Sequence, residues 1–406
     1  MPSFDKLGKN KEEGMFPLSD IKVVELSSFI AGPYCAKLLA DWGAHVIKVE
    51  EPPLGDEARR SFLLAEESVQ DKDSSLFLYL NTNKKSITLN LECQRGKAIF
   101  LKLVQDADIL LESFPPGHMR SLGLSYKNLR EVNPKLIVAS ISNFGQYGPY
   151  RDYEAAEISL QALSGMLLRM GKARPTKYGG YLVQHGAGLI AFIAILTSLL
   201  NKGDEGQYLD LSLIEAGATG GILALLPYVY MGLMMKRGLD RSLLGSVGIY
   251  PASNGYVVFV PGYGGMESLA LLLGRPELME DPLFVDPIAR QLRAEEFAQT
   301  FILPWLKEHR KEEVFEQAQE LGMPFGLIQT VPDLLEDLQL QDREFFLQVA
   351  HPVVGELIYP STPFKSNAFS YKPGRAPLLG EHNGEIYSSL GYGEEEVEEL
   401  QKAGVI

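Results

Sequence analysis

The segment IKVVELSSFIAGPYCAKLLADWGAHVIKVE, residues 21–50, carries the strongest indication of the fold. It begins with an apolar run, Ile21–Leu26, that predicts a β-strand. Two serines and the pair Gly32–Pro33 then indicate a turn, and the stretch that follows to Trp42 has the pattern of a helix. A second apolar run, His45–Val49, predicts the next strand. This order is typical of a βαβ unit, whose two strands are parallel.

The same alternation continues through the first half of the chain and predicts an α/β protein with a mostly parallel sheet. Further strands are expected at Ser86–Asn90, Asp108–Leu111, Leu136–Ser140 and Gln207–Leu213, and a long helix at Gly188–Leu200. From about Gly221 the pattern changes to loops, an isolated strand and short helices. We therefore expect a large domain from residues 1–220 with 326–406, and a smaller domain from 221–325.

Composition narrows the classes of partner. The formal net charge is -14 at pH 7, so neither a nucleic acid nor an anionic membrane surface is an expected partner. The two cysteines form no disulfide framework, and the six histidines lack the spacing of a metal site. The polar N-terminus has no apolar signal core, so we expect a cytoplasmic protein. The apolar stretch Ala216–Met235 is interrupted by glycines and Pro227 and predicts a buried helix pair rather than a membrane span.

Three loops are candidates for anion binding. The free N–H groups of the turn Ser27–Pro33 could face a phosphate or a thioester carbonyl. Asn81–Ser86 supplies two lysines and Gly117–Arg120 an arginine, although by itself each is more often a solvated loop. His185 stands in a glycine-rich turn before the long helix, where a catalytic and a structural role are both open. Dinucleotide, Walker, nucleophile-elbow and zinc-protease motifs do not occur.

Taken in chain order, many segments resemble the family III CoA-transferases, also called CaiB/BaiF proteins, which include formyl-CoA transferase and carnitine CoA-transferase. The resemblance runs nearly from end to end of the chain. The segments that carry it are Leu39–Glu50, Pro53–Arg59, Asn81–Leu91, Ala107–Gly117, Leu122–Leu129, Asn133–Pro149, Gln161–Gly165, Gly206–Glu215 and Arg375–His382.

The resemblance implies a large Rossmann-like parallel-sheet domain, a smaller α+β domain and an interlocked, ring-like dimer. It also implies acyl-CoA and carboxylic acid substrates, with coenzyme A as a substrate and no metal. In the family's reaction an aspartate attacks the acyl-CoA and forms a mixed anhydride. The released CoA thiolate then forms an enzyme thioester, which the acceptor acid resolves.

The family's aspartate precedes an Ala-Gly at the start of the long helix, where this chain has Gln184. A neutral amide cannot form the anhydride. Thr82 replaces a usual arginine, Ser113 a usual asparagine, and Ile30, preceded by Phe29, a usual polar residue, so the resemblance implies a less polar reaction end. The residues expected to contact the CoA ester are Phe29, Ile30, Ala31, Lys84, Lys85, Ser113, Phe114, Arg120, Asn143, Gln146 and Gln184.

These features favour a transferase subunit whose missing aspartate is supplied by a homologous subunit. Succinyl-CoA:benzylsuccinate CoA-transferase is a two-gene enzyme of this kind. One alternative is a self-sufficient transferase that uses another carboxylate, such as Glu157 or its neighbours Asp152 and Glu154. An acyl-CoA racemase would need a His-Asp pair where this chain has Ala156 and Glu157. The remaining alternative is a non-catalytic acyl-CoA-binding protein, and whether the chain pairs with itself or with a relative stays open.

Overall fold

The computed structural model describes residues 16–61, 74–169, 174–201, 203, 205–234, 247–260 and 265–406. The chain divides into two compact units. The first contains the described residues of Met1–Leu168, Lys177–Met234 and Arg343–Ile406. The second contains those of Arg169–Thr176 and Met235–Asp342.

A six-stranded parallel sheet forms the centre of the first unit, with the strand order β3-β2-β1-β4-β5-β6. This is the order of a doubly wound sheet, in which ligands bind at the carboxyl edge where the order reverses, between β1 and β4. The strands are β1 (Lys22–Leu26), β2 (His45–Glu50), β3 (Lys85–Thr88), β4 (Ile109–Glu112), β5 (Ile137–Ser142) and β6 (Tyr208–Ser212). The predicted α/β fold with a parallel sheet is confirmed.

Helices cover both faces of this sheet, and its central strands are therefore buried on both sides; all six residues of β5 are buried. One core packs around α3 and α18, and the other around α1 and α7. The helices of this unit are α1 (Ala31–Asp41), α2 (Ser75–Leu80), α3 (Gln94–Gln105), α4 (His118–Ser121), α5 (Tyr126–Val132), α6 (Glu157–Leu163), α7 (Leu182–Leu200), α8 (Leu213–Gly220), α9 (Ile222–Met231), and, after the second unit, α18 (Asn383–Ser389) and α19 (Glu394–Lys402).

The second unit has a small antiparallel sheet and its own core, built around Phe259, Phe284 and Phe297. Its strands are β7 (Gly248–Ala252), β8 (Gly255–Phe259) and β9 (Gly326–Leu327); a further hairpin, β10 (Phe346–His351) and β11 (Gly355–Pro360), belongs to the first unit. The helices of the second unit are α10 (Gly265–Leu272), α11 (Pro282–Val285), α12 (Pro287–Leu292), α13 (Ala294–Phe297), α14 (Leu303–Glu308), α15 (Lys311–Glu320), α16 (Val331–Leu335) and α17 (Leu338–Asp342).

The long helix α7 begins at Leu182, six residues earlier than the predicted start at Gly188. The glycines of this region suggested a turn, but the Glu157 carboxylate accepts a hydrogen bond from the Val183 N–H at 3.0 Å and so stabilises the first helical turn.

By length and composition α7 is also long and apolar enough to cross a membrane. The bent pair α8 and α9 counts as a second such segment if it is taken as one span. Six of the 19 residues of α7 are buried within the chain.

The predicted helix pair in Ala216–Met235 is present as α8 and α9, but the prediction that it is buried is wrong for the described side chains of α9. Leu225 is 54% exposed and Tyr230 is 81% exposed. An apolar helix with so much exposed surface is typical of a face that another protein surface covers.

Gly188 fixes how closely α7 approaches α1. A methyl group added there would lie 2.5 Å from the Ala31 carbonyl oxygen, so the two backbones meet where only glycine fits. Gly186, on the same helix, has no atom within 4 Å of such a methyl group.

We therefore expect Gly188→Ala to lower the free energy of unfolding by about 1–3 kcal/mol, because the added methyl forces the helices apart. Gly186→Ala is the matched control and should be neutral or stabilising by up to about 1 kcal/mol, since alanine favours helix over glycine. Urea unfolding of both variants measures the difference, and equal stabilities would contradict this account of the packing.

Candidate active site

A cavity of about 550 Å³ opens at the carboxyl edge of the parallel sheet. Residues that follow β1, β4 and β5 line it, represented by Phe29, Ser113 and Asn143. The first turn of α7 contributes Gln184 to the same lining. The cavity therefore occupies the position at which doubly wound sheets bind their ligands.

The turn between β1 and α1 forms one wall of this cavity. Phe29 has a φ of 70°, a left-handed conformation that costs a residue with a Cβ about 1–2 kcal/mol. Its N–H donates to Asp56 Oδ1 at 3.0 Å, and the Ser28 N–H donates to Ser113 Oγ at 3.0 Å. Gly32 is required here because an added Cβ would lie 2.2 Å from the Ser27 Cβ. The α1 N-terminus has no side-chain cap, so its free N–H groups remain available beside the cavity.

Buried charges hold this turn from behind. Lys48 Nζ lies 2.7 Å from Asp56 Oδ2 and 3.1 Å from Glu25 Oε1, and it donates to the Ser27 carbonyl at 2.9 Å. Burial raises the pKa of the Asp56 carboxyl, but the neighbouring Lys48 ammonium and the hydrogen bonds outweigh this and hold the pKa below its ordinary value.

The prediction that Lys84 contacts the CoA ester needs correction. Its Nζ is fully buried between Glu25 Oε2 and the Pro33 carbonyl, each at 2.9 Å, so it cannot reach a CoA phosphate.

Lys84 also donates to Asn81 Oδ1 at 2.8 Å, which uses the third proton of its ammonium. Burial lowers its pKa to about 8. Lys85 is remote from the cavity for a different reason. It is the first residue of β3, at the amino edge of the sheet, and its ammonium pairs with Glu385.

The start of α7 forms a second part of the cavity wall, next to the β1–α1 turn. Glu157 Oε1 accepts hydrogen bonds from the Val183 N–H at 3.0 Å and from Gln161 Nε2 at 2.8 Å. Its other oxygen, Oε2, is buried and has no hydrogen-bond partner among the described residues. Gln184 follows Val183 and is half-buried, and its amide has no partner within the described part of the chain. The ring of Tyr181 meets the Phe29 ring edge-on, with centroids 5.3 Å apart.

His185 does not line this cavity. Its Nδ1 lies 2.9 Å from the Tyr181 carbonyl oxygen, and its ring packs against Tyr34 at a centroid distance of 5.0 Å. These contacts favour the structural role over the catalytic one. Within the described ranges, no group of three His, Cys, Asp or Glu side chains is arranged to hold a metal ion.

A second cavity of about 590 Å³ adjoins the first at Pro115 and Arg151. Arg120, Gln146 and Tyr208 line it. The Gln146 N–H donates to the Asp210 carboxylate at 3.0 and 3.1 Å, which fixes the loop after β5.

Glu112, at the end of β4, lies in the wall of the second cavity. It is only 4% exposed, and burial raises its pKa to about 7 despite hydrogen bonds from Ser140 and the Phe114 N–H.

The structure thus sorts the predicted contact residues into three groups. Those in the first cavity are Phe29, Ala31, Ser113, Phe114, Asn143 and Gln184, together with Glu157. Those in the second are Arg120 and Gln146. Outside both cavities are Ile30, which is fully buried, Lys84 and Lys85.

Comparison with known proteins agrees with this geometry. The family model described as CoA-transferase family III matches residues 18–383. The chain belongs to CoA-transferase family III. It is 33% identical to the formyl-CoA:oxalate CoA-transferase of Streptomyces avermitilis, over 96% of this chain and 99% of that one. It is also 33% identical to the succinyl-CoA–D-citramalate CoA-transferase of Chloroflexus aurantiacus, over 96% and 98%.

A solved structure supports the same assignment. The crystal structure of a CaiB/BaiF family protein from Brucella suis superposes with a TM-score of 0.82 at 28% identity, covering 93% of this chain and all of that chain. As a member of this family the chain is a CoA-transferase or a subunit of one, and its substrates include a CoA thioester.

Several residues that shape this family III site were not predicted from the sequence. Asp56 lies in the segment Pro53–Arg59, which contributed to the resemblance but suggested no contact with the β1–α1 turn. Glu112 and Arg151 were also missed. The predicted parallel sheet could have indicated Glu112, because it is the last residue of a strand that ends at the ligand-binding edge.

The raised pKa of Glu112 predicts a specific pH dependence of stability. The folded protein binds this proton more tightly than the unfolded chain, whose glutamate has a pKa near 4.5. Its contribution is therefore complete below about pH 4.5 and is lost as the pH rises through about 7. Glu112→Gln removes this contribution while keeping the shape of the side chain.

From pH 5 to pH 8 the free energy of unfolding of the wild type should therefore fall by about 2 kcal/mol more than that of Glu112→Gln. Urea unfolding at the two pH values measures both changes. Parallel pH dependences in the two proteins would contradict the assignment of a raised pKa to Glu112.

Proposed function

We propose that this chain binds an acyl-CoA across the two adjoining cavities and takes part in CoA transfer between carboxylic acids without a nucleophile of its own. The observation that carries the proposal is Gln184, a neutral amide in the cavity wall at the first turn of α7. One relative named above is a formyl-CoA:oxalate CoA-transferase, and the other is a succinyl-CoA–D-citramalate CoA-transferase. Transfer of this kind uses a carboxylate that attacks the thioester and later leaves again.

The shape and charge of the two cavities support the binding part of the proposal. Together they offer room for an extended ligand that passes Pro115 and Arg151. The second cavity has cationic residues, Arg120, Lys127 and Arg151, that suit phosphate groups. The first has the aromatic pair Phe29 and Tyr181, which suits a bulky or aromatic acyl group.

The missing nucleophile supports a partner chain. The aspartate would come from a homologous subunit; it would attack the thioester carbonyl, form a mixed anhydride with the acyl group and release the CoA thiolate. We further propose an interlocked dimer, formed with that subunit or with a second copy of this chain. The exposed apolar side chains of α7 and α9, such as Ile193 at 54% and Val229 at 62%, are the surface available for it. We also propose a cytoplasmic location, a reducing compartment in which Cys35 and Cys93 stay free thiols.

One observation favours a second candidate, a transferase that uses Glu157 as its nucleophile. This carboxylate is in the wall of the first cavity, and its Oε2 lacks a partner among the described residues. Both of its oxygens nevertheless face inward, and Oε1 holds the first turn of α7. We therefore favour a structural role for Glu157. The racemase gains no support, because Ala156 and Glu157 stand where its His-Asp pair would be. The purely binding alternative shares both cavities and Gln184 with the proposed function and differs from it only in having no partner chain.

The first test replaces Gln184 by aspartate. Purified alone, the wild type should not exchange labelled succinate into succinyl-CoA, because it has no nucleophile. Gln184→Asp should raise the exchange rate by at least about tenfold, since it restores a carboxylate at the end of the cavity. Gln184→Asn is the matched control, because it has the length of aspartate and the charge of glutamine, and it should stay inactive. Robust exchange by the wild type alone would reject the proposed dependence on a partner.

The second test concerns Glu157. Glu157→Gln keeps the acceptor for the Val183 N–H, so in the Gln184→Asp background it should change the exchange rate by less than about threefold. A nucleophilic Glu157 predicts instead that the wild type exchanges CoA by itself and that Glu157→Gln abolishes this activity. The same exchange assay separates the two outcomes. Retained binding of CoA by every variant would show that the loss is chemical.

A further inference from the structure

Asp56 reaches the β1–α1 turn from a distant point in the sequence. It stands ahead of a short helical turn, Glu57–Arg60, whose Ala58 N–H it caps at 2.8 Å. The same oxygen, Oδ1, also accepts from Ser28 Oγ at 2.8 Å and from the Phe29 N–H at 3.0 Å. Capping explains only the first of these three hydrogen bonds. The other two join Asp56 to Phe29 and Ser28, which lie 27 and 28 positions earlier in the chain.

The second oxygen of Asp56 completes the contact. Oδ2 lies 2.7 Å from Lys48 Nζ, and that ammonium donates to the Ser27 carbonyl at 2.9 Å. The ion pair therefore holds the turn on both sides of Ser28. The two side chains are 0% and 1% exposed, so water does not compete for these bonds.

The geometry that Asp56 holds determines the wall of the first cavity. The hydrogen bond from the Phe29 N–H to Asp56 offsets part of the cost of the left-handed conformation of Phe29. In that conformation the Phe29 ring meets the Tyr181 ring, three residues before Gln184. Asp56 itself does not line the cavity, so it acts through the turn and not on the ligand.

We propose that Asp56, paired with Lys48, is a positioning residue that sets the Ser28–Phe29 turn for the acyl end of the bound CoA ester. The proposal rests on the function proposed above, because it assigns the first cavity to the acyl group. It predicts that loss of the Asp56 charge disturbs binding of the acyl group and leaves binding of the nucleotide end nearly unchanged.

Asp56→Asn is the test variant, because an amide has only one accepting oxygen and cannot serve both the three donors at Oδ1 and the Lys48 ammonium at Oδ2. Asp41→Asn is the matched control. Asp41 forms an equally short buried ion pair with Lys37, at 2.7 Å, at the other end of α1 and away from the cavity. Ser28→Ala removes only one of the three bonds to Oδ1 and serves as a milder variant if Asp56→Asn does not fold.

Two measurements apply to each variant of the full chain. Isothermal titration calorimetry gives the affinities for phenylacetyl-CoA and for free CoA. Asp56→Asn should weaken binding of the ester about tenfold and of CoA less than about threefold, whereas Asp41→Asn should change both less than about threefold. Ser28→Ala should weaken the ester about threefold. Hydrogen–deuterium exchange of peptides that span the β1–α1 turn should be at least about tenfold faster in Asp56→Asn and unchanged in Asp41→Asn.

The outcomes separate this inference from the proposed function. Unchanged exchange in the turn of Asp56→Asn, or an equal loss of ester and CoA affinity in that variant, overturns the positioning role. If the wild type binds neither the ester nor CoA, the proposed function fails. The role of Asp56 at the acyl end fails with it, and the exchange data then decide only whether Asp56 holds the turn.

Discussion

Two helices that begin at the same edge of the sheet, α1 and α7, pack so closely that only glycine fits at position 188 against the Ala31 carbonyl. This contact determines the site. Gln184 lies four residues before Gly188, on the same face of α7, and so it is directed toward the β1–α1 turn. The N-terminal ends of both helices therefore meet the same cavity. The partial positive charge of a helix N-terminus suits a thioester carbonyl or a carboxylate.

Such a site stabilises negative charge whether or not it has a nucleophile. A carboxylate at position 184 would gain from the α7 N-terminus, yet this chain has an amide there. The negative charge next to α7 comes instead from Glu157, which is occupied in holding Val183. Behind the β1–α1 turn, the buried charges balance in two pairs, Asp56 with Lys48 and Glu25 with Lys84. The chain therefore combines a preorganised binding wall with a reaction end that lacks its reactive group.

The sequence predicted the sheet well because buried parallel strands contain continuous apolar runs, as in Leu136–Ala139. It predicted the side chains of the site less well, because their roles depend on direction and on long-range contacts. Lys84 and Lys85 are adjacent and looked equivalent, but one ammonium turns inward to Glu25 and the other lies at the amino edge of the sheet. No local pattern shows that Asp56 supports Phe29, since the contact spans 27 residues.

The most direct test is a crystal structure of the protein with phenylacetyl-CoA. The account predicts that the phenylacetyl group lies between Phe29 and Gln184, with the nucleotide directed toward Arg120. An ester bound outside the two adjoining cavities, or bound in the reverse direction with its nucleotide beside Gln184, would contradict it.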